Sequence, residues 1–598
     1  MRSEKEFTAP PSNRDKAAYT ERRGTVEDVK GLRREILMRA NALYEAKAYA
    51  RAAEIAHELL AVLPEDVEMR YIRAAALTGC GAYDEARAEI ARIRTYAPDH
   101  AGAARQEIYI DRAEGKIRTQ IVHLRTFVAM LEEHIAAGDR PDYHRVFLAS
   151  AYSLLGEALT LTGDVAAAVE AFLASSRIET AREKKATEYS NALFAANYLP
   201  AEQRAAYAAL AHGYGALYAD VRPLSCAADA ARGHERIRIG YISPDLRTHP
   251  VGTLVRPLLT AYDRTRFAVY AYANGAEDTL SQEFRTAVDV WRNISGMTAA
   301  EAAARVHADE IDILVDLAGH TQNNLLPVLA HSPAPVQVTG IGYFNTTGLP
   351  AIDYMISDVH VDPIGAEDDS FIEEMIRLPH SHFCYTLPDD LPTVAPPPMV
   401  RRDYVTFGSF NNFSKVTDEV LCLWKKLLDT VPNARLLLKS KLFGSTEGRE
   451  IAAERFARCG IPTERVEMRG FGPNHLTAYG DMDIALDTFP YTGGITTCEA
   501  LAMGVPVVTM RGASHGARFG ESLLINANLP ELIARTPEDY VEIAATLASS
   551  PDTLAALRTN LRAILERSPL TDARLYVRDV EAAYTEIWKR FVRSTRTV

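Results

Sequence analysis

A repeat of about 34 residues constrains the fold of this chain more than any other feature of its sequence. The first two copies share four positions: Leu43, Tyr49, Ala52 and Pro64 return as Leu77, Tyr83, Ala86 and Pro98. A third copy runs through Leu155, Gly156, Gly163, Ala168 and Phe172. A two-helix unit of this length has an apolar face that only a neighbouring unit can cover, and small residues let the paired helices approach closely. The first third of the chain is therefore predicted to be an array of helix pairs.

The period is that of tetratricopeptide repeats, so residues 26–200 are predicted to form a solenoid of such repeats. Residues 101–146 keep the helical character but lose the motif, and we interpret them as a degenerate copy. A plain helical bundle is the alternative interpretation. Repeat arrays commonly bind another protein along a concave face, so we expect a protein partner.

The remainder of the chain alternates apolar runs with helical stretches, which predicts doubly wound α/β structure. Buried parallel strands are predicted at residues 237–243, 267–273, 313–317, 336–342, 405–410, 435–439, 465–468, 483–487 and 507–510. Five prolines between Pro388 and Pro398 predict a stiff connector within this series. Two Rossmann-like domains facing a cleft are expected, an arrangement that suits a nucleotide-linked substrate.

These changes in pattern define the predicted domain order. The segments are a disordered N-terminus at 1–25, helical repeats at 26–200, a Rossmann-like domain at 201–386, a Pro-rich linker at 387–400, a second Rossmann-like domain at 401–570, and a C-terminal helix at 571–598 that braces the first α/β domain.

Composition argues against several classes of function. The formal net charge of -13, without a basic tract, argues against nucleic acid as a partner. The six cysteines are scattered, with neither a Cys-x-x-Cys pair nor zinc-ligand spacing, which is typical of reduced thiols. The chain does not begin with a signal-peptide pattern, and it contains no run of about 18 apolar residues. We expect a soluble cytoplasmic protein without membrane insertion; the sequence carries no signal for its oligomeric state.

The segment from Asp483 to Met510 has the pattern of a phosphate-binding site. A strand, a Gly-rich loop and a helix start present free backbone N–H groups and the positive end of a helix dipole, which suit a diphosphate. Glu499, in the first turn of that helix, is placed to accept hydrogen bonds from ribose hydroxyls. An ordinary βαβ unit is the alternative. The candidate diphosphate-binding residues are Gly493, Gly494, Thr496 and Thr497.

Other candidates surround this segment in the second α/β domain. A lysine in the loop after the first strand can neutralise the β-phosphate of a departing nucleotide. His475 and Tyr479 precede the central strand and are candidate contacts of a nucleobase. Asp481 and Asp483 imitate a metal-binding carboxylate pair, but they lead directly into a strand, so we predict no metal. The loop after the first strand contributes Asn411, Asn412 and Lys415.

The first α/β domain supplies candidates for acid–base chemistry. His249 follows the first strand, at the carboxyl end where ligands bind in such sheets. Asp309, Asp312, Asp316 and His320 surround a later strand. Carboxylates beside a histidine can supply a general base near neutral pH. Solvated turn acids are the alternative interpretation of Asp309 and Asp312.

Residues from about 237 to 591 resemble the catalytic region of the O-GlcNAc transferase family, which includes the plant SPINDLY proteins. The matching stretches follow the family order: GYISPDLRTHPVG, ILVDLAGHTQNNLL, PAPVQVTGIGYFNTTGLPAIDY, VTFGSFNNFSK and LDTFPYTGGITTCEALAMGVPVVTM. The resemblance implies a helical solenoid followed by a GT-B fold. It also implies transfer of a sugar from a nucleotide to Ser or Thr of proteins, with inversion at the anomeric carbon and without a metal or other cofactor.

By position, the resemblance also implies roles for single residues. These are an active-site histidine (His249), an acid proposed for proton handling (Asp309), a phosphate-binding lysine (Lys415), a nucleoside-contacting histidine (His475), diphosphate-binding threonines (Thr496 and Thr497) and an acid that holds ribose (Glu499). Asp312 stands where the animal enzymes have a histidine. The stretches GHTQNN, GYFNTTG and DTFPYTGG look more like the SPINDLY branch, which uses GDP-fucose.

The sequence thus indicates an inverting protein O-glycosyltransferase, with UDP-GlcNAc as the first-choice donor co-substrate and an acceptor protein recruited by the repeats. Alternatives are a SPINDLY-like protein O-fucosyltransferase that uses GDP-fucose, and a flagellin glycosyltransferase that uses a nonulosonate donor. A catalytically inactive repeat adaptor is the alternative of another class, which the joint presence of Lys415, Thr496, Thr497 and Glu499 disfavours. The repeat array disfavours a lipid or a free glycan as acceptor.

Overall fold

The computed structural model describes residues 26–138, 142–199, 204–225, 233–365 and 371–596. Contacts divide the chain into two compact units, with the boundary between Phe147 and Leu148. The predicted disordered segment at 1–25 lies outside the described residues. Within those residues, no helix is long and apolar enough to cross a membrane, and the five cysteines are free thiols.

The first unit consists of helix pairs. Its helices are α1 (Val26–Glu45), α2 (Tyr49–Val62), α3 (Val67–Gly79), α4 (Tyr83–Tyr96), α5 (Ala101–Glu114) and α6 (Ile117–Ala136). Ala52 and Ala86 are fully buried, and a Cβ atom added at Gly79 would lie 2.5 Å from the Tyr49 ring. Small residues therefore let neighbouring helices pack closely, as the repeat pattern predicts. The segment without the motif also forms a pair, α5 with α6. The prediction of a helical repeat region is confirmed.

The second unit begins within a helix. Helix α7 (Asp142–Thr162) contains the boundary and is followed by α8 (Val165–Ile178), α9 (Arg182–Ala196) and α10 (Arg204–Ala216). Gly156 on α7 faces Phe172 on α8, where an added Cβ atom would lie 2.8 Å from the ring. Sequence analysis places residues 148–200 with the repeats, but their contacts place them in the unit that contains both sheets.

Seven parallel strands form the first sheet, in the order β3-β2-β1-β4-β5-β6-β7. They are β1 (Ile237–Ser243), β2 (Phe267–Ala273), β3 (Val290–Asn293), β4 (Ile313–Asp316), β5 (Val336–Thr339), β6 (Tyr354–Asp358) and β7 (Glu374–Leu378). The intervening helices are α11 (Pro250–Thr260), α12 (Thr279–Ala287), α13 (Ala299–Ala308) and α14 (Leu326–Leu329). Strands β1 and β2 have their predicted bounds and β4 and β5 are shorter, whereas β3, β6 and β7 are not predicted from the sequence.

The second sheet has six parallel strands in the order β10-β9-β8-β11-β12-β13. They are β8 (Thr406–Ser409), β9 (Arg435–Lys439), β10 (Val466–Arg469), β11 (Ile484–Leu486), β12 (Val507–Met510) and β13 (Ile533–Ala534). Its helices are α15 (Asp418–Thr430), α16 (Thr446–Arg458), α17 (Ile495–Ala502), α18 (Phe519–Asn526), α19 (Pro537–Ala548) and α20 (Pro551–Glu566). The five predicted strands are present, and only the two-residue strand β13 is not predicted. The prediction of two Rossmann-like domains is confirmed.

The chain passes between the two α/β domains twice. The first passage is the Pro-rich segment after β7, and the second precedes helix α21 (Ala573–Arg596). Helix α21 returns to the first domain, where Glu581 accepts the backbone N–H of Asp263 (2.7 Å) and Tyr576 donates to the carbonyl of His382 (3.0 Å). The last helix is thus part of the first α/β domain, although the chain reaches it through the second.

Each sheet reverses its strand order once, between β1 and β4 in the first sheet and between β8 and β11 in the second. In open α/β sheets, loops that leave the carboxyl ends of the two strands at such a switch point diverge and open a crevice, where ligands bind. The topology therefore selects the loops after β8 and β11, and the corresponding loops after β1 and β4, as the places to look for a site.

Candidate functional site

Asp487 organises the loop that follows β11. Its buried carboxylate accepts hydrogen bonds from the backbone N–H groups of Gly493 (2.7 Å) and Thr488 (2.9 Å) and from the hydroxyl of Thr509 (2.8 Å). Burial raises the pKa of Asp487. These bonds fix a compact loop before α17. The sequence predicts Asp487 only as the end of a strand; the signal for its wider role is a carboxylate that closes an apolar run before a Gly-rich loop.

Gly493 is required because two threonine hydroxyls lie against it. An added Cβ atom would be 2.6 Å from Thr496 Oγ1 and 2.9 Å from Thr497 Oγ1. At Gly494 the nearest neighbour of an added Cβ atom is 3.5 Å away, an ordinary contact. Thr496 Oγ1 in turn donates to Asn411 Oδ1 (2.9 Å), which joins the loop after β8 to the start of α17. The backbone N–H of Thr497 donates to the carbonyl of Gly494 (3.1 Å), and the N–H groups of Ile495 and Thr496 precede this first bond of the helix, beside the same hydroxyls.

Lys415 lies against the same loop. It ends a 3₁₀ turn after β8, and its Nζ donates to the carbonyl of Thr492 (3.0 Å) and lies 3.6 Å from the centre of the Tyr491 ring. Burial lowers the pKa of Lys415 to about 8. Asn412 is exposed, and its side chain caps this turn by accepting a backbone N–H. Asn412 therefore shapes the turn that carries Lys415.

A chain of hydrogen bonds holds Glu499. Its Oε2 accepts from Tyr479 Oη (2.8 Å) and from His475 Nε2 (2.8 Å), and Lys439 Nζ donates to His475 Nδ1 (3.0 Å). Because Nδ1 accepts from the ammonium, the imidazole proton lies on Nε2 and is donated to Glu499. Oε1 of Glu499 has no hydrogen-bond partner among the residues that the structure describes. Lys439 is not predicted from the sequence; its position at the carboxyl end of β9 is the signal for it.

His249 stands at the carboxyl end of the first sheet. It caps helix α11, since its Nδ1 accepts the backbone N–H of Val251 (3.3 Å), and it lies 3.6 Å from Asp245 Oδ2. Burial lowers the pKa of His249 and raises that of Asp245. Because Nδ1 accepts the N–H of Val251, the proton of the neutral ring lies on Nε2. About 36% of its side chain is exposed, so the ring is accessible.

The structure does not bring Asp309 and Asp312 together with these residues. Both precede β4 and so lie at the amino edge of the first sheet, opposite to the edge that carries His249. Asp309 forms an ion pair with Arg292 (2.8 Å), and the buried Asp312 accepts the backbone N–H of Arg238 (2.8 Å). Structural partners thus engage both carboxylates, and neither is placed to act as a general base beside the crevice.

His320 follows β4 and so lies at the same edge of the first sheet as His249, but it is buried. Its Nδ1 accepts from Ser190 Oγ (2.9 Å) and its Nε2 donates to the carbonyl of Thr347 (2.8 Å). Burial lowers the pKa of His320 to about 3, so the ring is neutral. Both nitrogens are engaged, and the residue serves to attach helix α9 to the first sheet. The contact with Ser190 spans 130 residues of chain, and no local sequence pattern predicts it.

The carboxyl edges of the two sheets face each other. Phe344, after β5, lies 4.1 Å from Tyr491, after β11, measured between ring centres. His515, after β12, forms a buried bond of 2.6 Å with Asp362, after β6. The cleft between the sheets therefore has the histidine of the first domain on one side and the lysine, threonines and glutamate of the second on the other.

The two acidic residues before β11, Asp481 and Asp483, are bound by other groups of the chain. Asp481 pairs with Arg469 (2.6 Å), and Asp483 accepts the backbone N–H groups of Met399 (3.0 Å) and Thr406 (2.8 Å). In the part of the chain that the structure describes, no group of three or more His, Cys, Asp and Glu side chains is placed to hold a metal ion.

Comparison with known proteins agrees with this architecture. Residues 216–390 and 399–580 match glycosyl transferase family 41. The chain is 42% identical, over 361 residues, to the "probable UDP-N-acetylglucosamine–peptide N-acetylglucosaminyltransferase SPINDLY" of Solanum lycopersicum, covering 59% of this chain and 39% of the relative. It is 24% identical over 480 residues to the UDP-N-acetylglucosamine–peptide N-acetylglucosaminyltransferase of Caenorhabditis elegans, covering 60% and 41% respectively.

A solved structure extends the similarity to nearly the whole chain. A mutant of the Thermobaculum terrenum O-GlcNAc transferase superposes with a TM-score of 0.72 at 30% identity, covering 96% of this chain and 99% of that one. The chain spans about two fifths of the length of the plant and animal relatives it matches. The family match covers both sheets and the crevice between them, and this chain therefore belongs to glycosyl transferase family 41.

Proposed function

We propose that the chain is an inverting glycosyltransferase that moves a sugar from a nucleoside diphosphate to a Ser or Thr hydroxyl of a protein. One observation carries the proposal: groups suited to a diphosphate and to a ribose converge at the switch point of the second sheet. The Lys415 ammonium and the start of α17 supply positive charge and N–H donors, and Glu499 supplies a free carboxylate oxygen. The printed names of the relatives, which are peptide N-acetylglucosaminyltransferases, support the same reaction class.

In the proposed reaction, the acceptor hydroxyl attacks the anomeric carbon and releases its proton to solvent water, while the bond from that carbon to the β-phosphate oxygen breaks. Negative charge grows on the departing diphosphate. The Lys415 ammonium and the N–H groups of the first turn of α17 stabilise that charge, and a half-buried site strengthens this attraction relative to water. The metal-free stabilisation of the leaving group thus rests on residues of the chain itself.

Glu499 holds the ribose in this proposal. Its Oε2 is occupied by His475 and Tyr479, so the carboxylate cannot rotate freely and Oε1 keeps one direction. A fixed carboxylate oxygen suits the two neighbouring hydroxyls of a ribose. Lys439 sets the tautomer of His475 and so acts through it. The donor is thereby anchored at its nucleoside while its sugar reaches into the cleft.

His249 faces the cleft as a donor. Since Nδ1 already accepts the N–H of Val251, the neutral ring presents Nε2–H rather than a lone pair. It suits a contact with an oxygen of the sugar or of the diphosphate better than removal of the acceptor proton. We therefore propose His249 as a binding residue and assign the general base to none of the described residues.

UDP-GlcNAc is our first-choice donor, because it is the donor in the relatives' printed names. GDP-fucose is the second candidate, since the sequence is more similar to the SPINDLY relative than to the animal one. A nonulosonate carried by CMP fits less well, because CMP has one phosphate and the lysine and helix start are suited to two. The acceptor is proposed to be a protein held by the helical repeats, with flagellin as one possible client.

The test uses the purified full chain with UDP-GlcNAc or GDP-fucose and measures release of the free nucleotide, with and without EDTA. We expect one donor to be turned over and EDTA to have no effect. Thermal shifts with UDP, GDP and CMP identify the nucleotide, because a ligand that binds only the folded chain raises its melting temperature. Release from neither donor, or strict dependence on Mg²⁺ or Mn²⁺, would refute the proposal.

A substitution tests the ribose contact separately. Glu499→Gln keeps the shape but removes the charge, and hydrogen bonds to charged groups contribute about 1.5–3 kcal/mol. We expect the affinity for the nucleotide to fall by about 10- to 100-fold. The matched control is Glu531→Gln, on an exposed residue of a short turn after α18, which should bind like the wild type. Equal affinity of the two variants would remove Glu499 from the site.

A further inference from the structure

A tyrosine from the helical region reaches the loop of the donor site. Tyr198 lies two residues beyond the end of helix α9, after the capping residue Asn197, and is buried. Its ring is stacked on that of Tyr491, with ring centres 5.6 Å apart and an angle of 24° between the planes. Tyr491 belongs to the loop between β11 and α17, which contains the diphosphate-binding candidates. The helical region therefore contacts the site directly.

Tyr491 is in turn the residue against which Lys415 lies. The Nζ atom is 3.6 Å from the ring centre, within the range of a cation–π interaction. The neighbouring carbonyl of Thr492 accepts the hydrogen bond of the same ammonium (3.0 Å). Both groups that orient the Lys415 ammonium thus lie on adjacent residues, and their position depends on what holds the Tyr491 ring in place.

Two aromatic side chains hold that ring. Phe344, from the first sheet, has its ring centre 4.1 Å from that of Tyr491, and Tyr198 supplies the second contact. Tyr198 is itself fixed, because its neighbour Asn197 donates to Tyr343 Oη (3.2 Å) and accepts from Asn345 Nδ2 (3.0 Å). These bonds attach the end of α9 to the loop after β5 and so hold the backbone next to Tyr198 in place.

We propose that Tyr198 is a positioning residue for glycosyl transfer: its ring fixes Tyr491 and thereby the place of the Lys415 ammonium beside the leaving diphosphate. Tyr198 would act through its contact with Tyr491 and not by binding donor or acceptor. The inference depends on the proposed role of Lys415. It makes the last helices before the first sheet part of the transferase rather than a support for acceptor recruitment alone.

The experiment compares three variants of the full chain: Tyr198→Phe, Tyr198→Leu and Tyr198→Ala. Phe keeps the stacked ring, so turnover should stay within about twofold of the wild type. Leu keeps most of the apolar volume but not the ring, and Ala leaves a cavity that admits water towards Lys415. We expect turnover to fall by about tenfold for Leu and more for Ala. If Ala does not fold, the comparison of Leu with Phe carries the test.

The pH profile separates positioning from a merely structural role. With water beside it, the Lys415 ammonium is better solvated, so the alkaline limb of kcat/KM should move upwards from about pH 8 in the Leu and Ala variants. Tyr214→Ala is the control, because this buried tyrosine packs against His320, where the helices before β1 also contact the first sheet. It should lower the melting temperature and leave the alkaline limb in place.

The outcomes distinguish this inference from the proposed function. Retained turnover in Lys415→Met would refute the assigned role of Lys415, and with it this inference. Loss of turnover in Lys415→Met, together with wild-type turnover and an unmoved alkaline limb in Tyr198→Leu, would refute the positioning role of Tyr198 alone. A tenfold loss shared by Tyr198→Phe would also overturn it, because that variant keeps the stacked ring.

Discussion

Lys415→Met should separate activity from stability. The substitution keeps a long apolar side chain and removes only the ammonium. If that charge stabilises the departing diphosphate, turnover should fall by about 10²–10³, the typical cost of losing one such electrostatic contact. Folding should respond differently, because the folded chain holds the ammonium in a half-buried place.

The size of that response follows from the surroundings of Lys415. Burial lowers its pKa from 10.5 to about 8, and each pKa unit corresponds to about 1.4 kcal/mol, so the buried charge costs about 3 kcal/mol below pH 8. The contact with the Tyr491 ring contributes about 1 kcal/mol in the other direction, and the hydrogen bond to Thr492 about another 1 kcal/mol. The variant should therefore be as stable as the wild type or more stable by about 1 kcal/mol.

Urea unfolding at pH 7 and pH 10 measures the difference. The folded-state pKa is the lower one, so the cost of the charge is fully present below pH 8 and disappears as the pH rises towards 10.5. Any advantage of Lys415→Met should shrink accordingly. Lys425→Met, on a surface lysine paired with Asp429, is the control and should change neither turnover nor the unfolding midpoint by much. A Lys415→Met variant that loses more than about 1 kcal/mol of stability at pH 7 would refute the reasoning.

Three further predictions concern the site and its boundary. In the wild type, kcat/KM should fall about tenfold per pH unit above pH 8, because Lys415 acts as the protonated ammonium; a flat profile up to pH 10 would contradict this. Gly493→Ala should weaken nucleotide binding at least tenfold in calorimetry, because its Cβ atom would lie 2.6 Å from Thr496 Oγ1, whereas equal affinity would show that the hydroxyl can move aside. Deleting residues 1–147 should leave donor hydrolysis intact, whereas deleting residues 1–200 should abolish it. The reason is that the second deletion also removes helices that contact the loops of the first sheet. Equal activity of the two truncated chains would show that hydrolysis does not depend on those helices.

Most of the strands that the sequence predicts lie inside a sheet between two other strands, although the edge strand β10 is also predicted and the internal strand β6 is not. Strands β1, β2, β9 and β12 have their predicted bounds because apolar residues dominate each of them. The edge strands β3 and β7 are half-exposed, so VWRN and EMIRL lack a continuous apolar run and are not recognised. Edge position depends on tertiary structure, and local periodicity does not encode it.

The site divides in the same way. The position of Lys415, Thr496 and Glu499 at the crevice can be predicted because each follows a strand of one sheet, and parallel strands bring their carboxyl ends to one edge. Asp309 and Asp312 precede their strand and so lie at the other edge of the sheet. The order of residues and strand is visible in the sequence, but it is missed when residues are grouped only because they are close in sequence. The roles of His320 and Tyr198 depend on helix α9 packing against loops more than 100 residues away, and no local pattern predicts that.

The two passages of the chain between the α/β domains restrict how the cleft can move. Because both connections are covalent, any movement of one domain relative to the other has to be accommodated by both of them. If the two domains move apart at this point, the buried bond between His515 and Asp362 has to break, and both groups become exposed to water. Widening the cleft at this point therefore carries the cost of replacing a buried polar contact between the two domains by contacts with water.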